Sequence, residues 1–269
     1  MKEKIFIFIF LIIFFLILSS NNVLFPRAFA QNTDSPKNVP RVVLVELFVQ
    51  EGCLTCPTAE FCLEDLAWEY GTTKLILVQE HLWGDGYDTP ETNARYDWYV
   101  GDGKRGTPDV FIDGLKRLQG MSCDCVEGNY ECYKDAIDEE LARPSFLELS
   151  AIKIPNPLPQ GEREEEKVVK TIIESTVKNS SDTSLKDLAV CGMVGKEGDE
   201  PGLYFYIQDI FPFQNMPPLL PGATFNFKFI SEILLEQESE VDAEEEILHL
   251  VIFVQNTITK EVLQALYIE

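Results

Sequence analysis

Apolar residues in the first half of the chain alternate between strand-like and helix-like spacing. Positions 42–49 are almost continuously apolar, which is typical of a strand covered on both faces. Apolar residues then recur at helical spacing as far as Tyr70, and a second apolar run at 74–80 predicts another buried strand. An Asp113-Gly114 step predicts a tight hairpin. The predicted order over residues 41–143 is β-α-β-α-β-β-α, with the later helices at 91–100 and 129–143.

The second half has a different pattern. Short segments rich in Val, Ile, Leu, Phe and Thr are separated by turn-like stretches, which predicts an all-β antiparallel sandwich for residues 145–269. The segments lie near 145–154, 167–178, 186–194, 203–209, 223–231, 246–256 and 260–268. The pattern resembles the immunoglobulin-like or fibronectin-like modules that are appended to exported proteins.

The N-terminus carries a third kind of pattern. Lys2 and Lys4 precede a short apolar run at 5–18, and Ala28-Phe29-Ala30 offers a small-x-small cleavage site. We interpret residues 1–30 as a secretory signal peptide, with an uncleaved anchor as the alternative. Residues 31–40 are predicted to be a linker, so that the chain is expected to be exported to the periplasm, the cell surface or the medium.

The charge balance changes the expected set of partners. The formal net charge is −23, and removal of residues 1–30 would move it to about −25. Such a surface repels nucleic acid and anionic lipid, and contact with a membrane is expected only through the signal peptide. We therefore predict a protein or small-thiol disulfide as substrate and a separate redox partner, and no motif indicates a cofactor.

A Cys-x-x-Cys sequence follows the first predicted strand. Cys53 and Cys56 come after Gly52, and Pro57 is suited to the first turn of a helix. Backbone N–H groups at a helix N-terminus favour a thiolate, and a second cysteine one turn away can resolve a mixed disulfide. The chemistry expected here is thiol–disulfide exchange, with a fixed structural disulfide or half of a metal site as alternatives.

The other cysteines have a simpler interpretation. Export makes disulfides permissible, and two structural disulfides are expected among four cysteines in one of three pairings. These four are Cys62, Cys123, Cys125 and Cys132. A second redox relay or a thiolate metal site is the alternative. Cys191, on an apolar strand, is expected to be a buried thiol.

The motifs of residues 41–143 together resemble the thioredoxin-like superfamily, and in particular secreted thioredoxin-like proteins of unassigned activity. The resemblance is carried by the Cys53-Leu54-Thr55-Cys56 sequence, by Thr107-Pro108 before the third strand and by the hairpin. It implies an α/β thioredoxin-like domain, a cis Pro108, and a substrate chain held by Pro108 and Thr107. The chain departs from thioredoxins in having Gly52 before the first cysteine and Leu54-Thr55 between the two, so the direction of the redox reaction does not carry over.

Three further residues follow from the same resemblance. Glu46 stands near the position of a buried acid that assists proton transfer to the second cysteine, although the spacing is one residue longer. Trp83 is a candidate for a substrate groove, and His81 is a weak candidate for a base or a metal ligand. A hydrogen-bonded strand residue, a core aromatic and a satisfied histidine are the respective alternatives.

These observations predict an exported thiol–disulfide oxidoreductase in which Cys53 attacks and Cys56 resolves. Two other functions stay open at this point. One is a non-enzymatic binding module in which the two cysteines form a structural disulfide. The other is a metal chaperone that uses the thiolates of Cys53 and Cys56, with His81 as a further candidate ligand.

Overall fold

The computed structural model describes residues 38–120, 130–155, 167–197, 204–235 and 248–268. Within these ranges the chain forms three helices and eleven strands. The N-terminal half contains β1 Val43–Val49, α1 Cys56–Tyr70, β2 Leu75–His81, α2 Pro90–Val100, β3 Asp109–Ile112, β4 Lys116–Gln119 and α3 Glu131–Leu141. The C-terminal half contains β5 Leu147–Pro155, β6 Lys167–Asn179, β7 Leu188–Lys196, β8 Tyr206–Asn215, β9 Thr224–Leu235, β10 Leu248–Asn256 and β11 Val262–Ile268.

Most of the strands belong to one mixed sheet. Its eight strands have the order β11-β10-β7-β8-β2-β1-β3-β4, and β1 pairs in parallel with β2 and antiparallel with β3. The strands of the two halves meet where β2 runs parallel to β8, at the pair Gln79 and Tyr206. The Gln79 N–H donates to the Phe205 carbonyl at 2.8 Å, and the Gln79 side chain accepts from the Tyr204 N–H at 2.9 Å.

The shared sheet corrects the predicted fold class. The expectation of an α/β thioredoxin-like domain followed by an all-β antiparallel sandwich is wrong, because the described part of the chain is predominantly β and its largest sheet takes strands from both halves. The individual strands stand close to where the apolar pattern predicts them. What the pattern does not reveal is which strand pairs with which. The proposed boundaries of 41–143 and 145–269 stay a prediction.

Alternation along β1 places two separate cores on the two faces of the sheet. Val43, Val45, Leu47 and Val49 point into a cluster that also contains apolar residues of α1 and α3. Phe48 points to the other face, into an aromatic cluster with residues of α2 and β3. Because β1 is covered on both sides, its near-continuous apolar sequence is explained.

A second layer covers the C-terminal strands. The sheet β5-β6-β9 packs against β7 and β10 through buried apolar side chains from both sheets. Ile173 and Phe229 come from the smaller sheet, and Val190 and Ile252 come from the larger one. This region is therefore sandwich-like, although one of its two sheets continues into the N-terminal half.

No helix within the described ranges is long and apolar enough to cross a membrane. The predicted signal peptide, residues 1–30, lies outside the described residues.

Candidate redox site

The turn that carries the two cysteines leaves the C-terminal end of β1. Gly52 has a φ of 77°, a backbone conformation that favours glycine, and the Cys53 N–H donates to the Gln50 carbonyl at 3.2 Å. Helix α1 begins at Cys56, with Thr55 as its N-cap and Pro57 in the first turn. Cys53 thus lies in the turn, and Cys56 is the first residue of the helix.

Cys53 and Cys56 form a disulfide with their Cα atoms 5.5 Å apart. The two sulfurs differ in access, because Cys56 is only 2% exposed whereas Cys53 is partly exposed. The Cys56 N–H donates to Cys53 Sγ at 3.1 Å. After reduction, the same N–H and the positive end of the helix dipole would face the Cys53 thiolate. Such an arrangement favours the thiolate form of the more accessible sulfur.

Thr107 and Pro108 are joined by a cis peptide bond, which is what the resemblance implied for Pro108. Asp109, which follows, pairs with Phe48 near the end of β1. The cis bond therefore lies at the same edge of the sheet from which the cysteine-bearing turn leaves. Among the predicted substrate-binding residues, these two are the ones that the topology places at this edge of the sheet.

Asp85 holds the turn in place through hydrogen bonds, and no pattern in the sequence predicts this role. Its carboxylate accepts from the Glu51 N–H at 3.0 Å, from the Tyr87 N–H at 3.0 Å, and contacts His81 Nδ1 at 2.7 Å. His81, at the end of β2, is buried and packs against the rings of Tyr87 and Tyr206. His81 therefore supports Asp85 and the turn. Within the described part of the chain, the hydrogen bond and ring contacts of its side chain are to Asp85, Tyr87 and Tyr206 and not to either sulfur.

Glu46 does not lie with the cysteines. It is fully buried on the opposite face of β1, where it pairs with Arg95 and accepts from the Tyr99 hydroxyl at 2.5 Å. The one-residue difference in spacing decides this, since neighbouring residues of a strand face opposite ways. The structure therefore does not bring Glu46 to Cys56, and its place is in a buried polar cluster.

That cluster joins the two halves of the sheet. Gln255 of β10 donates to the Tyr99 hydroxyl at 2.8 Å and accepts from Arg95 at 3.3 Å. Glu80 of β2 lies 3.8 Å from Arg95. Burial, with the nearby Glu46 carboxylate, raises the pKa of Glu80 well above its usual value. This environment favours the protonated form of Glu80 beside the ion pair of Glu46 and Arg95.

Trp83 also faces away from the disulfide. Its ring packs against Tyr96, with centroids 5.5 Å apart, and Tyr96 belongs to the aromatic cluster on the Glu46 side of the sheet. Its backbone N–H donates to the Asn93 side chain at 3.0 Å, and its φ of 61° is unusual for a residue other than glycine. These contacts make Trp83 a structural residue of the loop before α2.

Glu60 is an acid that sequence reasoning missed. It stands one helical turn after Cys56 on α1. Burial, and then the nearby Glu64, raise the pKa of Glu60 to about 7. A carboxyl group that titrates near neutrality, one turn from Cys56, can give up or accept a proton at the pH where thiols react. The sequence signal that could have identified Glu60 is its position beside the apolar face of the predicted helix.

The remaining predicted cysteines are only partly described. Cys62 is buried in the core beneath α1, and Cys132 is disulfide-bonded. Cys123 and Cys125 lie outside the described residues, so the pairing stays a prediction. Cys191 is a buried free thiol, and burial raises its pKa far above the ordinary value. Cys191 is therefore unsuited to thiolate chemistry.

The described ranges contain no group of three His, Cys, Asp or Glu side chains placed to hold a metal ion. His81 in particular is engaged by Asp85 and lies among tyrosines.

Comparisons with known proteins identify the fold and leave the activity open. No protein-family profile matches the chain, and no curated protein sequence matches it. Among solved structures, HBP35 of Porphyromonas gingivalis is similar, with a TM-score of 0.60 and 18% identity over 86% of this chain and 76% of that chain. This coverage includes strands of both halves, and it overturns the thioredoxin-like resemblance as an account of the fold.

Two weaker similarities concern only part of the chain. A Bacteroides uniformis β-glucuronidase matches with a TM-score of 0.30 and 19% identity, over 45% of this chain and 12% of that chain. A β-glucosidase from Listeria innocua matches with a TM-score of 0.26 and 14% identity, over 47% of this chain and 16% of that chain. Scores of this size do not establish a shared fold.

Proposed function

We propose that the chain is a thiol–disulfide oxidoreductase in which Cys53 attacks and Cys56 resolves. The observation that supports this is the contact between the Cys56 N–H and Cys53 Sγ, 3.1 Å long, at the first residue of a helix. A donor in that position stabilises a negative charge on Cys53 after reduction. The contrast between an accessible Cys53 and a buried Cys56 matches the two roles.

The reaction balances once a dithiol redox partner has reduced the Cys53–Cys56 bond and has itself become a disulfide. The Cys53 thiolate attacks one sulfur of a substrate disulfide, a mixed disulfide forms, and the other substrate sulfur leaves as a thiolate. The Cys56 thiolate then attacks Cys53, which restores the Cys53–Cys56 bond and releases the second substrate thiolate. Two electrons pass from the protein to the substrate, and the reverse sequence oxidises a dithiol. Thr107 and Pro108, at the same sheet edge, are the residues proposed to contact the substrate chain.

The test is disulfide turnover with insulin as substrate, in the wild type and in Cys53→Ser and Cys56→Ser. Cys53→Ser should lower turnover at least about hundredfold, because the attacking sulfur is absent. Cys56→Ser should accumulate the mixed disulfide, which mass spectrometry detects. Equal turnover in wild type and Cys53→Ser would eliminate the proposal. The reduction potential of the pair, measured against glutathione, would then give the direction of the reaction.

We also propose that the protein is exported, on the basis of Lys2, Lys4 and the apolar run at 5–18. Mass spectrometry of the protein purified from its own cells should give a chain that starts at Gln31 and is found outside the cytoplasm. A full-length chain in the cytoplasm would contradict export without affecting the chemistry at Cys53.

A further inference from the structure

Three large apolar side chains are exposed along the outer face of α1, starting between the two cysteines. Leu54 is 97% exposed, Phe61 is 62% exposed and Trp68 is 76% exposed. Each follows the last by seven residues, so Phe61 and Trp68 lie on one face of the helix and Leu54 lies just before its first turn. We call this row of three residues the α1 stripe. Large apolar side chains grouped in this way mark an interaction surface.

Acidic side chains flank the α1 stripe. On a helical projection Glu64 and Asp65 lie on either side of the line from Phe61 to Trp68. Helix α1 contains no lysine, arginine or histidine, and Lys134 of α3 lies 3.8 Å from Glu69. The surface beside the Cys53–Cys56 turn is therefore apolar along its centre and lined by acidic residues along both edges.

Glu64 gives a second indication of what this face binds. Its Oε1 atom is buried, and no residue of the described chain donates a hydrogen bond to it. Burial, and then Asp65, raise the pKa of Glu64 above its usual value. A partly buried carboxylate oxygen without a donor is costly, and a cationic group from a partner would relieve that cost.

We propose that the α1 stripe is the docking surface for a polypeptide substrate that carries apolar side chains beside its cysteine and lysine or arginine around them. This inference names the substrate class of the proposed redox site and rests on that proposed function. The stripe begins at Leu54, between the two cysteines, so a segment seated on it lies next to Cys53. A second copy of the chain is the weaker occupant, because its own α1 is acidic and the chain has a net charge of −23.

The experiment compares two synthetic peptides with the same Leu-Cys-Phe centre. One is flanked by four lysines and the other by four glutamates, and in each the cysteine is held as a mixed disulfide with glutathione. Oxidised glutathione is the small substrate that needs no docking surface. Second-order rate constants are measured by stopped flow with the reduced full chain. We expect the lysine peptide to react about tenfold faster than the glutamate peptide, and the ratio to fall as salt is added.

Two pairs of substitutions separate the apolar and the charged contributions. Phe61→Ser with Trp68→Ser should slow the lysine peptide about tenfold and leave oxidised glutathione unchanged. Glu64→Gln with Asp65→Asn should bring the lysine and glutamate peptides to similar rates. Ile258→Ser is the matched control, since Ile258 is 70% exposed in the turn between β10 and β11. It should change none of the rates, and the unchanged glutathione rate shows that each variant is folded.

The outcomes distinguish the two proposals. If neither the peptides nor oxidised glutathione react with the reduced wild type, the proposed function fails and the docking surface fails with it. If oxidised glutathione reacts but the two peptides react equally in every variant, only the docking surface is overturned. If the Phe61→Ser and Trp68→Ser variant changes a dimer to a monomer in sedimentation while the peptide rates stay the same, the occupant is a second copy, which also overturns the inference.

Discussion

The two sulfurs of the pair occupy different environments, and this difference can be measured residue by residue. Cys53 is partly exposed and receives the Cys56 N–H, whereas Cys56 is buried in the core beneath α1. After reduction we expect iodoacetamide to modify Cys53 at least about tenfold faster than Cys56, with a half-maximal rate below the pH of about 8.5 that is usual for a free thiol.

Mass spectrometry of timed samples gives the rate for each cysteine. Cys191, a buried free thiol, should stay unmodified in the same samples and so controls for unfolding. If Cys53 reacts no faster than the same residue in urea-unfolded protein, the helix N-terminus does not activate it.

The carboxyl group of Glu60 makes one contribution to the free energy of unfolding that depends on pH. Its pKa is raised from 4.5 to about 7, so the folded state binds this proton more tightly than the unfolded state does. The associated stability is present below pH 4.5 and is lost as the pH rises through 7. Because Glu60 is partly solvent-screened, we expect Glu60→Gln to raise the free energy of unfolding by only about 1 kcal/mol at pH 8, and by little at pH 4.

Urea denaturation at the two pH values measures this effect. Asp135→Asn, which removes an exposed acid on α3, is the matched control and should show no comparable change with pH. If Glu60→Gln raises the free energy of unfolding by the same amount at both pH values, ionisation of Glu60 is not the cause.

The sequence predicts where the strands lie along the chain, but it does not predict which strands pair with each other. The apolar runs at 42–49 and 74–80 identify β1 and β2, and the Asp113-Gly114 step identifies the hairpin between β3 and β4. A buried strand has the same sequence pattern whatever strand lies beside it, so the neighbour of β2 could not be predicted. The site divides in the same way. The cysteines and Pro108 were visible in the sequence, but Asp85 and Glu60 act through contacts that depend on the folded chain.

The hairpin also makes an element-scale contact that the sequence hides. A Cβ atom on Gly114 would lie 2.0 Å from the Lys260 carbonyl oxygen, in the turn between β10 and β11, and the φ of Gly114 is 70°. In Gly114→Ala, the hairpin turn between β3 and β4 must therefore move away from the turn between β10 and β11. We expect it to cost at least about 3 kcal/mol of unfolding free energy, measured by urea denaturation.

Gly120→Ala is the matched control, because Gly120 has a φ of 64° but open space around its Cα. It should cost only about 1 kcal/mol, from backbone conformation alone. Equal losses at the two positions would mean that the approach of Gly114 to Lys260 does not constrain the fold.

Buried polar contacts, in addition to the shared sheet, join the two halves of the chain. The ladder between β2 and β8 is short, and the buried cluster of Glu46, Arg95, Tyr99 and Gln255 adds side-chain bonds across the same junction. Composition and periodicity carry no information about such contacts, because a charged residue within a strand normally indicates a solvent-facing position. For this reason the different patterns of residues 41–143 and 145–269 predicted two separate folds, and the contacts that join them were not predicted.

Arg41 is a second point at which the halves meet. It lies before β1 and is buried, and its guanidinium bonds Asp113 at 2.9 Å and the Val262 carbonyl at 2.8 Å. Glu140 of α3 is 3.4 Å away. Asp113 is fully buried and also accepts from the Leu44 N–H at 2.9 Å. Removing Arg41 would leave the buried Asp113 carboxyl group without its cation, whereas Glu140 would keep its ion pair with Arg143.

We therefore expect Arg41→Met to cost about 3 kcal/mol or more at pH 8 and clearly less at pH 5. Burial raises the pKa of Asp113 from 3.8 to about 7 even with Arg41 beside it, so at pH 5 the carboxyl is protonated in the folded state of both proteins. At pH 8 the wild type can ionise Asp113 next to a cation, whereas the variant must either bury an uncompensated charge or keep the proton at a growing cost. The stability difference must consequently widen as the pH rises.

Urea denaturation at both pH values tests this, with Arg105→Met as the matched control. Arg105 pairs with Asp97 on the exposed surface, and loss of such a pair should change the unfolding free energy by less than about 1 kcal/mol at either pH. If Arg41→Met costs no more than Arg105→Met, or if its cost is the same at pH 5 and pH 8, the buried charges do not join the halves of the chain. The junction then depends on the sheet and its apolar cores alone.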